Sequence, residues 1–262
     1  MNIHHRSFNI LGNIAVVNFS DKIKLKDKKT FAREILKKNQ NIKTILEKSG
    51  KFSGRLRKMK TKYLVGEKNK EVLYKENNCV FRFNIDTTYF SPRLSNERKE
   101  IASLIKKNDE VLVMFAGVGP YSICIAKNSG AKVYSNEINR EANKYAELNI
   151  KLNKVKDKIE LIPGDIKKVA EEFKKKKQKF DVIVMPRPRL KETFLKEAFL
   201  LSKKGTRIFY YDFCKIEDEN KIIEKIKNEA EKARKKIKIL KIKQAGEIAP
   251  YKIRIRIDFE VL

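Results

Sequence analysis

Two glycines, Gly117 and Gly119, close the apolar run VLVMFAGVGPYSICIA at 111–126. The pattern reads as a buried strand turning sharply into a helix. Its backbone lets a ligand come close, and the unpaired N–H groups of the helix start point at that ligand. Phe115, Ala116 and Pro120 complete the turn. A second strand closes at Glu137 and Ile138, about 20 residues further on, where a carboxylate can accept hydrogen bonds from both hydroxyls of a ribose. A third strand ends at Asp165, placed to reach an adenine amino group, and a fourth ends at Met185. A nicotinamide dinucleotide would ask for G-x-G-x-x-G, but Ser122 stands at the third glycine position, so the expected ligand is S-adenosylmethionine. The alternative is that the glycines only make a tight turn and that Glu137 and Asp165 are caps. Arg187 and Arg189 sit between prolines in MPRPR, a stiff loop after a strand end. Ligands bind there in open α/β sheets, so both are expected to face a nucleotide.

These residues need a parallel sheet to hold them. EVLVMF, AKVYSN, KIELIP, FDVIVM and TRIFYY are apolar runs at 111–115, 132–136, 158–162, 180–185 and 206–211. Helical segments at 121–128, 140–153, 166–176, 190–203 and 217–236 alternate with them. Such alternation predicts an α/β fold with helices on both faces of a mostly parallel sheet. Residues 238–243 and 252–261 complete it as an antiparallel pair. Arg254, Arg256, Asp258 and Glu260 alternate with apolar residues there and read as a solvated face. Before Pro92 the pattern differs: a hairpin around Gly12 and Asn13, a helix from Asp21 to Lys38, then short strands at 42–47, 61–66, 71–75 and 79–85. Two domains are expected, a small α+β domain at 1–90 and a larger α/β domain at 91–262.

The chain has 262 residues, of which 41% are hydrophobic, so a packed core is within reach and simple disorder is excluded. No apolar run approaches the ~20 residues of a membrane span, and the first residues lack a signal peptide's apolar stretch, so a cytoplasmic protein is expected. Cys79, Cys124 and Cys214 are far apart without C-x-x-C spacing, which suggests neither a disulfide framework nor a metal site. Lys and Arg number 62 against 33 Asp and Glu, a formal net charge of +29. An excess of this size points to a polyanionic partner. The alternative is a lysine-rich surface with no dedicated partner.

From Ser7 to Leu262 the chain resembles the archaeal and eukaryotic tRNA methyltransferases that modify N1 of the guanine 3′ to the anticodon. The residues that carry the resemblance are SFNILGNIAVV near the start, GRLRKMKTKYLVGE at 54–67, ENNCVFRFNIDTTYFSPRLSNER at 76–98, FAGVGPYSI at 115–123, NEIN at 136–139, NIKLN at 149–153 and IAPYKIRIRIDF at 248–259. The resemblance implies a Rossmann-like class I methyltransferase domain at 91–262, with the small domain before it binding RNA. It also implies tRNA as partner, a monomer, and no metal. A sister family that moves the aminocarboxypropyl group in wyosine synthesis looks like FSPG and FAGIGH where this chain has Arg93 and Pro120, which favours methyl transfer. That transferase and a catalytically inactive tRNA-binding relative are the alternatives.

Methylating N1 requires a proton to leave while charge grows on O6, so a donor at O6 and a base are needed. By resemblance the O6 arginine lies in GRLRK, as Arg57 or else Arg55. Arg93 and Arg98 are expected to orient the base or its phosphates. Glu97 and Glu100 are the carboxylates in the segment where the base is expected, and helix-capping and ion-pair roles are the alternative for both. Three features depart from the family. Val113 replaces an acid at the end of strand one, Pro186 replaces an Asn that touches the target base, and the resemblance begins too early for the additional N-terminal domain that many members carry. tRNA is therefore expected to be held by fewer contacts.

Overall fold

A computed structural model describes residues 8–50, 54, 56 and 59–262. The chain divides into two compact units, Met1–Pro92 and Arg93–Leu262.

In the first unit β1 (Phe8–Leu11) and β2 (Ile14–Val17) form the hairpin read from the sequence. Then come α1 (Leu25–Lys38), β3 (Thr44–Lys48) and β4 (Thr61–Gly66). The sheet order is β1-β2-β3-β4, with β2 and β3 parallel across α1. This βαβ crossover was not expected from the short, irregular strands. Ala32 and Ile35 of α1 pack on Ala15, Val17 and Ile45 of the sheet. A second hairpin, β5 (Glu71–Glu76) and β6 (Cys79–Asn84), turns through Asn77 and Asn78, both left-handed, as a two-residue hairpin turn requires. Gly12 lies against it. A Cβ on Gly12 would meet the Leu73 carbonyl oxygen at 1.8 Å, and Asn13 accepts a hydrogen bond from the Leu73 amide at 2.8 Å.

The second unit opens with a 3₁₀ turn at Pro92–Leu94 and α2 (Ser95–Leu104). There follow β7 (Glu110–Val113), α3 (Pro120–Ser129), β8 (Lys132–Glu137), α4 (Arg140–Leu152), β9 (Ile159–Pro163), α5 (Ile166–Lys175) and β10 (Phe180–Met185). The chain ends with α6 (Leu195–Leu200), β11 (Ser202–Lys215), α7 (Glu219–Lys232), β12 (Ile237–Ala249) and β13 (Lys252–Val261). The seven strands run in the order β12-β13-β11-β10-β7-β8-β9, parallel from β11 to β9, with β12 and β13 antiparallel. β7 and β10 are buried on both faces, which explains their unbroken apolar sequences. One face packs on α5, α6 and α7, with Val169, Phe173, Leu195, Ile222 and Ile226 meeting Leu112, Ile183, Ile208 and Ile257.

α2 covers the opposite face, and here the expected solvated side of β13 is corrected. Arg256 and Asp258 are buried. Arg256 donates to Asp258, to Glu97 at 2.7 Å and to Glu100 at 2.7 Å, so the alternating charges form an ionic seam under α2. The helix expected at 190–203 is only six residues long, because residues 186–194 form a tethered loop.

Candidate functional site

β7 has β8 on one side and β10 on the other, so the connections leave it in opposite directions and open a crevice at the carboxyl ends of these strands. The turn after β7 lies there. Phe115 and Gly117 both have φ of 59°, and Gly119, with φ of 86°, is the N-cap of α3, with Pro120 in its first turn. Pro at that position lacks an N–H that would have no helical partner anyway. A Cβ on Gly119 would press on Ile123 Cδ1 at 3.1 Å, in a backbone conformation that side chains rarely adopt.

Glu137, at the end of β8, fixes this turn. One carboxylate oxygen accepts the Gly117 amide at 2.8 Å and the other accepts the Asn139 amide at 2.7 Å. A carboxylate oxygen can accept more than one hydrogen bond. Ile138, 36% exposed, offers an apolar surface next to it. Asp165 is the N-cap of α5, accepting from the Lys167 amide at 3.1 Å. Asp165 thus acts as a cap, whereas Glu137 braces the turn and leaves the capping of α4 to Asn139. Phe115, Gly117, Glu137, Asp165 and Pro186 are half-buried, open on one side. Ala116 and Pro120 are buried, and the Met185 side chain is fully buried among core residues, which leaves only its backbone at the strand end for a ligand. Val113 is likewise fully enclosed.

Three further expectations are corrected. Arg187 does not face a nucleotide: it is 3% exposed, donates to Asp212 at 2.6 Å, and holds the carbonyls of Leu190 and Glu192 at 2.7 and 2.6 Å. Its guanidinium folds the loop back on itself, which leaves Arg189 exposed. Arg98 is 1% exposed with its guanidinium 5.9 Å from the Tyr121 ring centre, out of reach of phosphates. Glu100 takes the ion-pair role instead of the base's. Hydrogen bonds from Arg256, Lys243 and Lys241 hold its carboxyl far below the usual range, against the opposing effect of burial. Glu97 is buried, accepting from Tyr211 at 2.9 Å and pairing with Arg256 and Lys243. Arg93 is exposed, and Arg55 and Arg57 lie outside the described residues.

Asp212 was not singled out from the sequence, nor was Tyr211, which carries no charge to mark it, and Arg256 was read as facing solvent. The one available signal was charge within otherwise apolar strands, which alternation alone assigns to solvent. Among the described residues no His, Cys, Asp and Glu cluster could hold a metal, and no helix is long and apolar enough to cross a membrane. Cys79 and Cys124 are buried free thiols, and burial pushes the half-buried Cys214 thiol up to about 11.

The chain is similar to the tRNA (guanine(37)-N(1))/4-demethylwyosine(37)-methyltransferase Taw22 of Nanoarchaeum equitans, with 34% identity over 98% of this chain and all of that protein. Its fold matches the crystal structure of Trm5b from Pyrococcus abyssi with a TM-score of 0.84 and 34% identity, covering 97% of this chain and 74% of that one. A solved complex of aTrm5 with tRNALeu matches with a TM-score of 0.83 and 28% identity, over 98% and 72% of the respective chains. Residues 2–69 match the TYW2 N-terminal domain and residues 72–240 the TRM5/TYW2 methyltransferase domain. The sheet order, the glycine turn and these matches lead to one assignment: the chain is a member of the TRM5/TYW2 methyltransferase family.

Proposed function

We propose that this protein transfers the methyl group of S-adenosylmethionine to N1 of the guanine 3′ to the anticodon of tRNA. The observation that carries the reading is the glycine turn clamped by Glu137 at the switch point of the sheet, in a chain similar over nearly its whole length to enzymes named for that reaction. S-adenosylmethionine fits there because Glu137 offers acceptors for ribose hydroxyls, Ile138 an apolar face for the adenine, and Asp165 an acceptor for its amino group. Bound at that edge, it supplies an electrophilic methyl group on a sulfonium. The half-buried turn residues Phe115 and Gly117 would flank the cofactor at the strand edge.

As N1 loses its proton, charge grows on O6, where a guanidinium stabilises it. By resemblance Arg57 fills that role. Arg189, exposed on the loop that follows Pro186, is the second candidate, since Pro186 has neither a side-chain amide nor an N–H to offer. The small unit, 1–90 by the sequence reading, serves RNA binding in this scheme, and the protein acts as a monomer in the cytoplasm.

The match of residues 2–69 to the TYW2 N-terminal domain favours a second reading, aminocarboxypropyl transfer to the same nucleotide. Incubation with unmodified transcript tRNA separates the two when the cofactor is labelled first on the methyl group and then on the carboxypropyl group. Methyl label in the guanine supports the proposal, carboxypropyl label supports the second reading, and no transfer of either indicates an inactive RNA-binding relative.

A further inference from the structure

The seven-stranded sheet is not level at its cofactor end. β10 stops at Met185, opposite Tyr210 of β11. β11 runs on to Lys215, which pairs with Lys252 of β13. The stretch from Tyr211 to Lys215, about 17 Å long at ~3.4 Å per residue, therefore stands above the strand ends that carry Phe115, Glu137 and Pro186. The return from β12 to β13, at Pro250 and Tyr251, forms the top of this arm.

Tyr251 is 79% exposed, the highest value among the large apolar side chains of the described residues. Its backbone is left-handed, with φ of 59°, and its carbonyl accepts the Ile216 amide at 3.2 Å, so the main chain under the ring is pinned. Ile216 and Ile248 are also exposed, at 52% and 42%. The nearby charges are mixed. Lys215 is paired with Glu217 at 3.1 Å, Arg254 lies over the Phe213 ring at 5.1 Å, and Glu247 offsets Lys252 in the sequence of the arm. A tip of this kind is a poor phosphate clamp and a good aromatic face. A nucleobase has a matching face and stacks on tyrosine without regard to sequence.

We propose that Tyr251 is a stacking platform for an unpaired nucleobase of the RNA substrate, one outside the target guanine. The inference rests on the functional reading above, because it takes the polyanion implied by the +29 net charge to be RNA entering at the cofactor edge.

The test compares the full-length protein with Tyr251→Ala and Tyr251→Phe, using unmodified tRNA transcript. Tyr251→Ala should weaken tRNA binding about 5-fold or more, the lower end for losing one stacked base, and raise KM for tRNA in step. Tyr251→Phe should stay within about twofold of the wild type, since a ring suffices for stacking. Affinity for S-adenosylmethionine by calorimetry should not change. The salt slope of tRNA binding should not change either, because no phosphate contact is lost. Unaltered tRNA affinity in Tyr251→Ala overturns the proposal, and so does an equal loss in Tyr251→Phe, which would make the hydroxyl the contact. A change of sedimenting mass in Tyr251→Ala with tRNA affinity intact assigns the tip to a protein contact and overturns it too. If the wild type neither binds tRNA nor modifies it, the functional reading itself fails.

Discussion

Glu137 does two jobs with one carboxylate. It braces the glycine turn through the Gly117 and Asn139 amides, and in the proposed function it also accepts the ribose hydroxyls of the cofactor. Replacement by Ala removes both, so Glu137→Ala should weaken S-adenosylmethionine binding by about 1–3 kcal/mol, the scale for losing a charge-assisted partner. Calorimetry reads this directly, and an unchanged affinity would reduce Glu137 to a brace. At this scale the sequence was a good guide wherever backbone geometry dictates residue type. Left-handed Gly117 and Gly119 and an acid about 20 residues later are local constraints. It misled wherever a side chain's partner lies far along the chain. Arg187 looked nucleotide-facing because nothing within MPRPR reveals Asp212, which reaches it from the next strand. For Glu100 the sequence left base and ion-pair roles undecided, because nothing near it reveals Arg256.

Two elements are fixed by buried charge. The loop between β10 and α6 is tied by the Arg187–Asp212 pair, with 1% and 7% of the two side chains exposed. Breaking such a pair from one side strands an ion in the interior, which costs about 3–5 kcal/mol, while replacing both members with apolar side chains is close to neutral. Arg187→Met should therefore lower unfolding stability in urea markedly, and Arg187→Met combined with Asp212→Leu should recover only part of the loss, because the Leu190 and Glu192 carbonyls and the Tyr210 hydroxyl stay without their partners. Equal stability of wild type and single variant would show that the loop stands without the pair. α2 is held by Glu97 and Glu100 on Arg256. The Glu100 carboxyl titrates below its ordinary 4.5 in the folded chain, so the folded state binds fewer protons and gains stability above that pH. This stability should fade as pH drops below 4.5 towards the folded value, and Glu100→Gln should be less stable at pH 7 with a flatter acid limb in urea titrations. Element types were largely legible from hydrophobic period, since each parallel strand is an apolar run bounded by polar turns. The parallel pairing of β2 with β3 was not, because periodicity says nothing about which strands become neighbours.

For the whole molecule the governing quantity is charge. A net +29 over 262 residues far exceeds what solubility asks of a chain this size. The pairs Lys144–Glu141, Lys151–Glu147 and Lys167–Glu192 show how few acids are available to neutralise the exposed lysines. Phosphate contacts release condensed counterions, so the logarithm of the affinity should fall linearly with the logarithm of salt concentration. With about six phosphates engaged, a slope of roughly −4 to −5 follows, equivalent to ~10³ in affinity between about 50 and 200 mM salt. Filter binding of transcript tRNA across a salt series measures it. Binding of S-adenosylmethionine in the same series should stay nearly level, because the protein groups proposed to hold it, the glycine turn and Glu137, are half-buried and screened less than exposed lysines. A flat tRNA response would mean that the lysines coat the surface without engaging the backbone. Affinity would then have to come from base contacts such as that proposed for Tyr251, and the charge would lose its role as the main source of tRNA binding.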